Sequence, residues 1–139
     1  MSLETQFVVI GELFLAALLS ALIGLDRERR DHSAGLRTHM LVGIGACLFT
    51  LLSAYAFPGS DPARVASQIV VGIGFLGAGT ILKREDKGEV HALTTAASIW
   101  VTAAVGMAAG VGAWFLAICA TLVVWFVLAI LRRMEDKPN

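Results

Sequence analysis

The sequence predicts an all-α, polytopic membrane protein of five transmembrane helices, with its N-terminus outside and its C-terminus in the cytoplasm. Three observations carry this. The 139 residues are 57% hydrophobic and only 16% charged, too little charge for a water-facing surface at this size. The charges fall between long charge-free intervals at 13–25, 38–60, 65–82 and 90–131. Basic residues gather in alternate connections: Arg27, Arg29, Arg30 and Arg37, then Lys83, Arg84 and Lys87, then Arg132, Arg133 and Lys137, with Arg64 alone on the other side. By the positive-inside rule the rich connections are cytoplasmic, which requires an odd number of spans. The 11 basic and 11 acidic residues cancel, so no net field points to nucleic acid.

The first helix is expected over Thr5–Leu25. The residues before it carry Glu4 and no Lys or Arg, unlike a secretory signal, so the helix is expected to remain as an anchor. Glu12 is its one acid away from an end, roughly 10 Å below the outer surface. A carboxylate there is costly unless it is protonated, paired or in a wet cavity. At 100° per residue Glu12 shares a face with Thr5, Ala16, Ser20 and Arg27, a small and polar face expected to point into the bundle or at an oligomer partner. Either Glu12 serves a proton or cation, or it is a protonated acid bonded to a neighbouring helix.

The second helix is expected over Leu36–Phe57. Before it runs an inner loop, Asp26 to His39, that mixes acids and bases densely. Anchoring and head-group contact explain most of the arginines. They do not explain Arg37-Thr38-His39 opening an apolar helix; charge pairs in this loop, with Asp26, Arg27 and Glu28, are candidates for a gate or for holding the first two helices together. Val42-Gly43-Ile44-Gly45 recurs as Val71-Gly72-Ile73-Gly74 on the next helix, which runs the opposite way. Inverted repeats mark transporters, but four such residues match easily by chance.

After a tight outer turn at Pro58-Gly59-Ser60-Asp61-Pro62, the third helix is expected over Val65–Leu82. Gly72 and Gly79 share a face with Gln68, while Gly74 and Gly77 share a nearly opposite one, so neighbours can approach from two sides and this helix is expected to be central. Its GxGxxG spacing lacks a βαβ context and carries no nucleotide-binding expectation.

The interval 90–131 would be roughly 63 Å of helix, about twice a hydrocarbon core, so it must turn back. The turn is expected at Gly106, Gly110 and Gly112, giving a fourth helix over Ala92–Ala109 and a fifth over Val111–Leu131. The fourth aligns His91, Thr94, Thr95, Ser98 and Thr102 within about 100° of arc, a polar stripe that should face protein or water. Packing with hydroxyls returned to their own backbone is about as good an account as a hydrophilic pathway. Trp100 is expected to pack between helices. Cys47 and Cys119 sit in helices without ligand spacing, so free thiols are expected and no metal site or cofactor. One membrane domain, 1–131, and a short cytoplasmic tail, 132–139, account for the sequence.

Gly24-Leu25-Asp26-Arg27-Glu28, Ala34-Gly35-Leu36-Arg37-Thr38-His39, the stretch from Asp61 to Gly79, and Leu93-Thr94-Thr95-Ala96-Ala97-Ser98-Ile99-Trp100 occur in this order. Together they strongly resemble the MgtC/SapB family of bacterial inner-membrane proteins, across the first four helices. The resemblance implies a multi-pass protein of the bacterial cytoplasmic membrane tied to adaptation to low magnesium and, in pathogens, to survival inside macrophages. It also implies a regulator, proposed in that family to restrain the proton-translocating ATP synthase, and brings no catalytic residues. Asp26 stands where the family usually has Glu, and Thr94 where some members have Asn. Longer members continue into a cytoplasmic domain after the membrane region.

Two functions follow as expectations. One is a non-enzymatic membrane regulator that contacts other membrane proteins and forms a homo-oligomer, a dimer being favoured. The other is a small ion or solute transporter whose path is lined by Glu12, Gln68 and the polar stripe. No nucleophile with a base, metal spacing or phosphate loop supports an enzyme.

Overall fold

The computed structural model describes residues 1–29, 32–57, 59, 61–82 and 89–131. Five α-helices lie among them: α1 (Leu3–Glu28), α2 (Leu36–Tyr55), α3 (Pro62–Leu82), α4 (Glu89–Gly110) and α5 (Trp114–Phe126), the last extended by a wider π-helical turn, Val127–Leu131. The first four are long and apolar enough to cross a membrane, and α5 with its extension is shorter. The chain is therefore a multi-pass membrane protein. Of the basic residues used for topology, Arg30, Lys83, Arg84, Lys87, Arg132, Arg133 and Lys137 lie outside the described residues, as do Pro58 and Ser60 of the outer turn and the tail 132–139.

The termini of these helices follow from local chemistry. Ser2 caps α1 by accepting from the Thr5 amide at 3.2 Å. At its other end α1 runs past Leu25 through Asp26-Arg27-Glu28, because Arg27 is buried at 1% exposure instead of leaving the bundle. Gly35, the N-cap of α2, has no side chain to offer, and Glu28 serves in its place by accepting from the Leu36 amide at 2.8 Å. Asp61 accepts from the Ala63 amide at the start of α3.

Expected breaks and observed breaks differ in the long last interval. Gly106 and Gly110 stay helical, and the reversal falls on Val111, Gly112 and Ala113. There the Ala113 amide reaches Ala108 O and the Gly112 amide reaches Ala109 O, with Gly112 at φ +73°. That is a Schellman closure, in which the left-handed residue has to be glycine or something nearly as tolerant.

Successive helices alternate in direction. α4 is the centre, packed on all four others, and α1 and α2 complete a tight trio with it. The expectation that the third helix is central fails. α3 packs chiefly on α4 and α2, and only 6% of its apolar stretch is buried, against 50% for α4. Glycines alone do not draw neighbours in; they permit approach only where the facing helix is also small. Trp100 is 51% exposed on the outer side of α4, not enclosed between helices.

Candidate functional site

The α1–α2–α4 trio is built from small residues four apart. On α1 the seam runs Ala16, Ser20, Gly24; on α2 it runs Gly43, Cys47; on α4 it runs Ser98, Thr102, Gly106, Gly110. This spacing puts one small residue per turn on a single face, so backbones meet. A Cβ on Gly24 would lie 2.8 Å from Leu36 Cα, and one on Gly110 would lie 2.8 Å from Cys47 O. A Cβ on Gly106 would overlap the carbonyl of Gly43, whose carbon and Cα would be 2.9 and 3.0 Å away.

Polar side chains enter this seam and are nearly all closed upon the protein. Thr50 donates to Ala46 O, Thr102 to Ser98 O and Thr121 to Ala117 O, at 2.8, 2.7 and 2.8 Å. These three hydroxyls meet their needs on their own helices, whereas Ser20 Oγ, buried in the seam, has no hydrogen-bond partner.

At the end where α1 finishes, four side chains from three helices meet. Arg27 donates from Nη2 to Thr95 Oγ1 at 2.7 Å. His39, fully buried, has Nδ1 2.9 Å from Gly35 O and Nε2 3.1 Å from Ser98 Oγ, while Ser98 Oγ lies 2.8 Å from Thr95 O. A carbonyl only accepts, so Gly35 O fixes a proton on Nδ1. Ser98 has a single hydroxyl proton and two acceptors within reach, Thr95 O and Nε2. The cluster thus ties α1, α2 and α4 together around a buried guanidinium.

Glu12 lies at the other end, fifteen residues and about 22 Å along α1 from Arg27. It is 6% exposed, with Gly112 and Trp114 of the α4–α5 turn beside its carboxylate and Trp114 in hydrogen-bonding position. Its Oε2 has no hydrogen-bond partner.

The face read from the sequence on α1 is the buried one: Glu12, Ala16, Ser20 and Arg27 are enclosed and Thr5 is half-buried. On α4, Thr95, Ser98 and Thr102 are buried, whereas Thr94 is exposed in a groove shared with α5. The His91 side chain lies outside the described residues. Asp26 and Thr38 are half-buried, and Arg37 and Glu28 are exposed around the entrance to α2. Gln68 is exposed on α3, lining an apolar groove toward α2. On the same helix a Cβ on Gly77 would lie 3.6 Å from Ala96 Cβ, and one on Gly72, Gly74 or Gly79 would meet nothing within 4 Å among the described residues beyond its own helix. Gly24, Gly43, Gly106 and Gly110 are the close-contact glycines that composition-level reading missed. Their signal was the four-residue spacing, present in Gly106-Met107-Ala108-Ala109-Gly110 as GxxxG.

The MgtC family profile matches residues 13–137, from the residue after Glu12 onward, and so takes in the whole α1–α2–α4 seam. The chain belongs to the MgtC family. It is 41% identical to an Escherichia coli K12 protein named "Putative magnesium transporter YhiD" over 97% of this chain and 65% of that one. It is 43% identical to Protein MgtC of Salmonella typhimurium over 96% of this chain and 57% of that protein. With Protein MgtC of Brucella abortus the identity is 48%, over 86% of this chain and 49% of the other. The chain thus spans about half to two thirds of the length of these curated relatives. No solved structure matches it.

Proposed function

We propose that this chain is the membrane domain of an MgtC-type regulator in the bacterial cytoplasmic membrane, acting in adaptation to low magnesium or host stress through helix contacts with other membrane proteins. In this reading all five helices span the bilayer, the N-terminus is outside and the C-terminus cytoplasmic, and two copies associate. No enzymatic step and no cofactor enter it. The observation that carries it is the contrast between the closed seam and α3. In the seam Thr50 and Thr102 return their hydroxyls to their own helices, while a Cβ on Gly72, Gly74 or Gly79 of α3 would meet nothing within 4 Å among the described residues beyond its own helix. An apolar helix with small residues on an open face supports close packing against a second helix. Photo-crosslinkers placed at Val71 and Phe75, both exposed on α3, are expected to capture a second copy or a specific membrane protein in native membranes. Capture of lipid alone would refute the reading.

A transporter is the second reading. It is favoured by the unpartnered Oε2 of Glu12 and by the transporter name of the Escherichia coli relative, which would make magnesium the first ion to test. Purified protein in liposomes decides it: a proton or magnesium flux lost in Glu12→Gln supports transport, and no flux from the unaltered chain rejects it.

A further inference from the structure

We propose that the recess between the early turns of α1 and the start of α5 binds an alkylammonium group, with the Glu12 carboxylate as its counter-ion. Phe7, Val8, Gly11, Glu12, Leu15 and Trp114 line this recess, whose volume is about 300 Å³. Glu12 lies about 14 Å along α1 from Leu3. The α4–α5 turn reaches the same level, because a Cβ on Gly112 would lie 3.4 Å from Glu12 Oε1. The first turns of α1 therefore stand beyond that turn, and Glu12 forms the inner wall of the hollow they leave.

Three features select the ligand. First, the carboxylate is 6% exposed and its Oε2 has no partner, so an ionised Glu12 needs a cation brought from outside. Arg27 is about 22 Å away along the same helix, and Arg64 lies on α3 against a different surface with Phe57 and Asp61. Second, the site offers one carboxylate. Among the described residues no three His, Cys, Asp or Glu side chains converge, whereas magnesium and calcium take about six or more oxygens. An ammonium needs only one anionic acceptor and supplies its own three donors. Third, the other walls are apolar and aromatic. Phe7, Val8 and Leu15 suit the carbon chain of an amine, and the Trp114 indole adds an aromatic wall whose N–H holds the carboxylate. Gly11 keeps the mouth open, since a Cβ there would meet nothing within 4 Å.

A free primary amine and the ethanolamine headgroup of a phospholipid share this chemistry. The test uses the full chain in phosphatidylglycerol nanodiscs, with Trp100→Phe and Trp125→Phe leaving Trp114 as the sole indole of three. Butylammonium is titrated at constant ionic strength against Trp114 emission. A saturable change is expected, with a midpoint about tenfold or more weaker in Glu12→Gln, as loss of a charge-assisted contact requires. Gly11→Leu, whose Cβ meets nothing within 4 Å and whose side chain fills the mouth, is expected to abolish it. A weaker apparent midpoint in discs containing phosphatidylethanolamine assigns the site to the lipid headgroup, and an unchanged one assigns it to free amines; both support the proposal. No saturable change in phosphatidylglycerol, or an unchanged midpoint in Glu12→Gln, overturns it. Should Glu12→Gln fail to fold, a retained midpoint in Gly11→Leu overturns it equally.

Discussion

Replacing Gly106 by alanine tests the seam most directly, because the added methyl would meet backbone on α2. Its Cβ would overlap the Gly43 carbonyl, with the carbonyl carbon at 2.9 Å and Cα at 3.0 Å. No side-chain rotation relieves this; α2 and α4 must separate, and the contact of Gly110 with Cys47 O one turn on must open with them. Overpacking of this kind costs up to about 3 kcal/mol. Alanine returns about 1 kcal/mol as the better helix former, leaving a net loss of about 2 kcal/mol. Gly72→Ala is the matched control, since its methyl meets nothing of the chain within 4 Å and only the helix-propensity gain remains. The assay is equilibrium unfolding in mixed micelles at rising mole fraction of dodecyl sulfate, followed by helical circular dichroism. Gly106→Ala should unfold at clearly lower dodecyl sulfate than the unaltered chain, and Gly72→Ala at the same or slightly higher. Equal midpoints for the two variants would refute backbone contact between α2 and α4.

In the same unfolding assay, Ser98→Ala is expected to cost about 1–3 kcal/mol, because it leaves the buried Nε2 of His39 without its partner. An unchanged midpoint would mean that the His39–Ser98 contact contributes nothing. Cys47 is fully buried and Cys119 partly exposed, so a small membrane-permeant thiol reagent should modify Cys119 first, with Cys47 reacting only on unfolding. Mass spectrometry of the two peptides checks the order, and simultaneous modification of the folded protein would contradict the assigned seam.

Helix number and position were legible because charge is costly in hydrocarbon, and the expected helices end within a few residues of those observed. The α1 face from Glu12 to Arg27 was legible for a related reason: polar residues one or two turns apart on an apolar helix have to face protein. Two things were not. The last turn of α1 looked like loop, since Asp26-Arg27-Glu28 reads as a soluble sequence until Thr95 on α4 offers Arg27 a buried acceptor. Centrality was assigned to α3 by counting its glycines, although close approach needs small residues on both partners. Ser20 faces Gly43, and Gly43 faces Gly106; among the described residues α3 meets α4 by such a step at Gly77 and Ala96.

That mismatch bears on what the family fold can do. In lipid, burying apolar surface against protein gains little over burying it against acyl chains, so cohesion must come from close packing and internal hydrogen bonds. α1, α2 and α4 concentrate both: backbone contacts at Gly24, Gly106 and Gly110, and bonds from Arg27 and His39 to Thr95 and Ser98. α3 has little of either, and its Gln68 amide stands exposed beside the apolar groove toward α2. An amide in that position gains by finding a donor or acceptor on another protein, which acyl chains cannot supply. The trio is therefore the frame, and α3 leaves most of its apolar surface outside it.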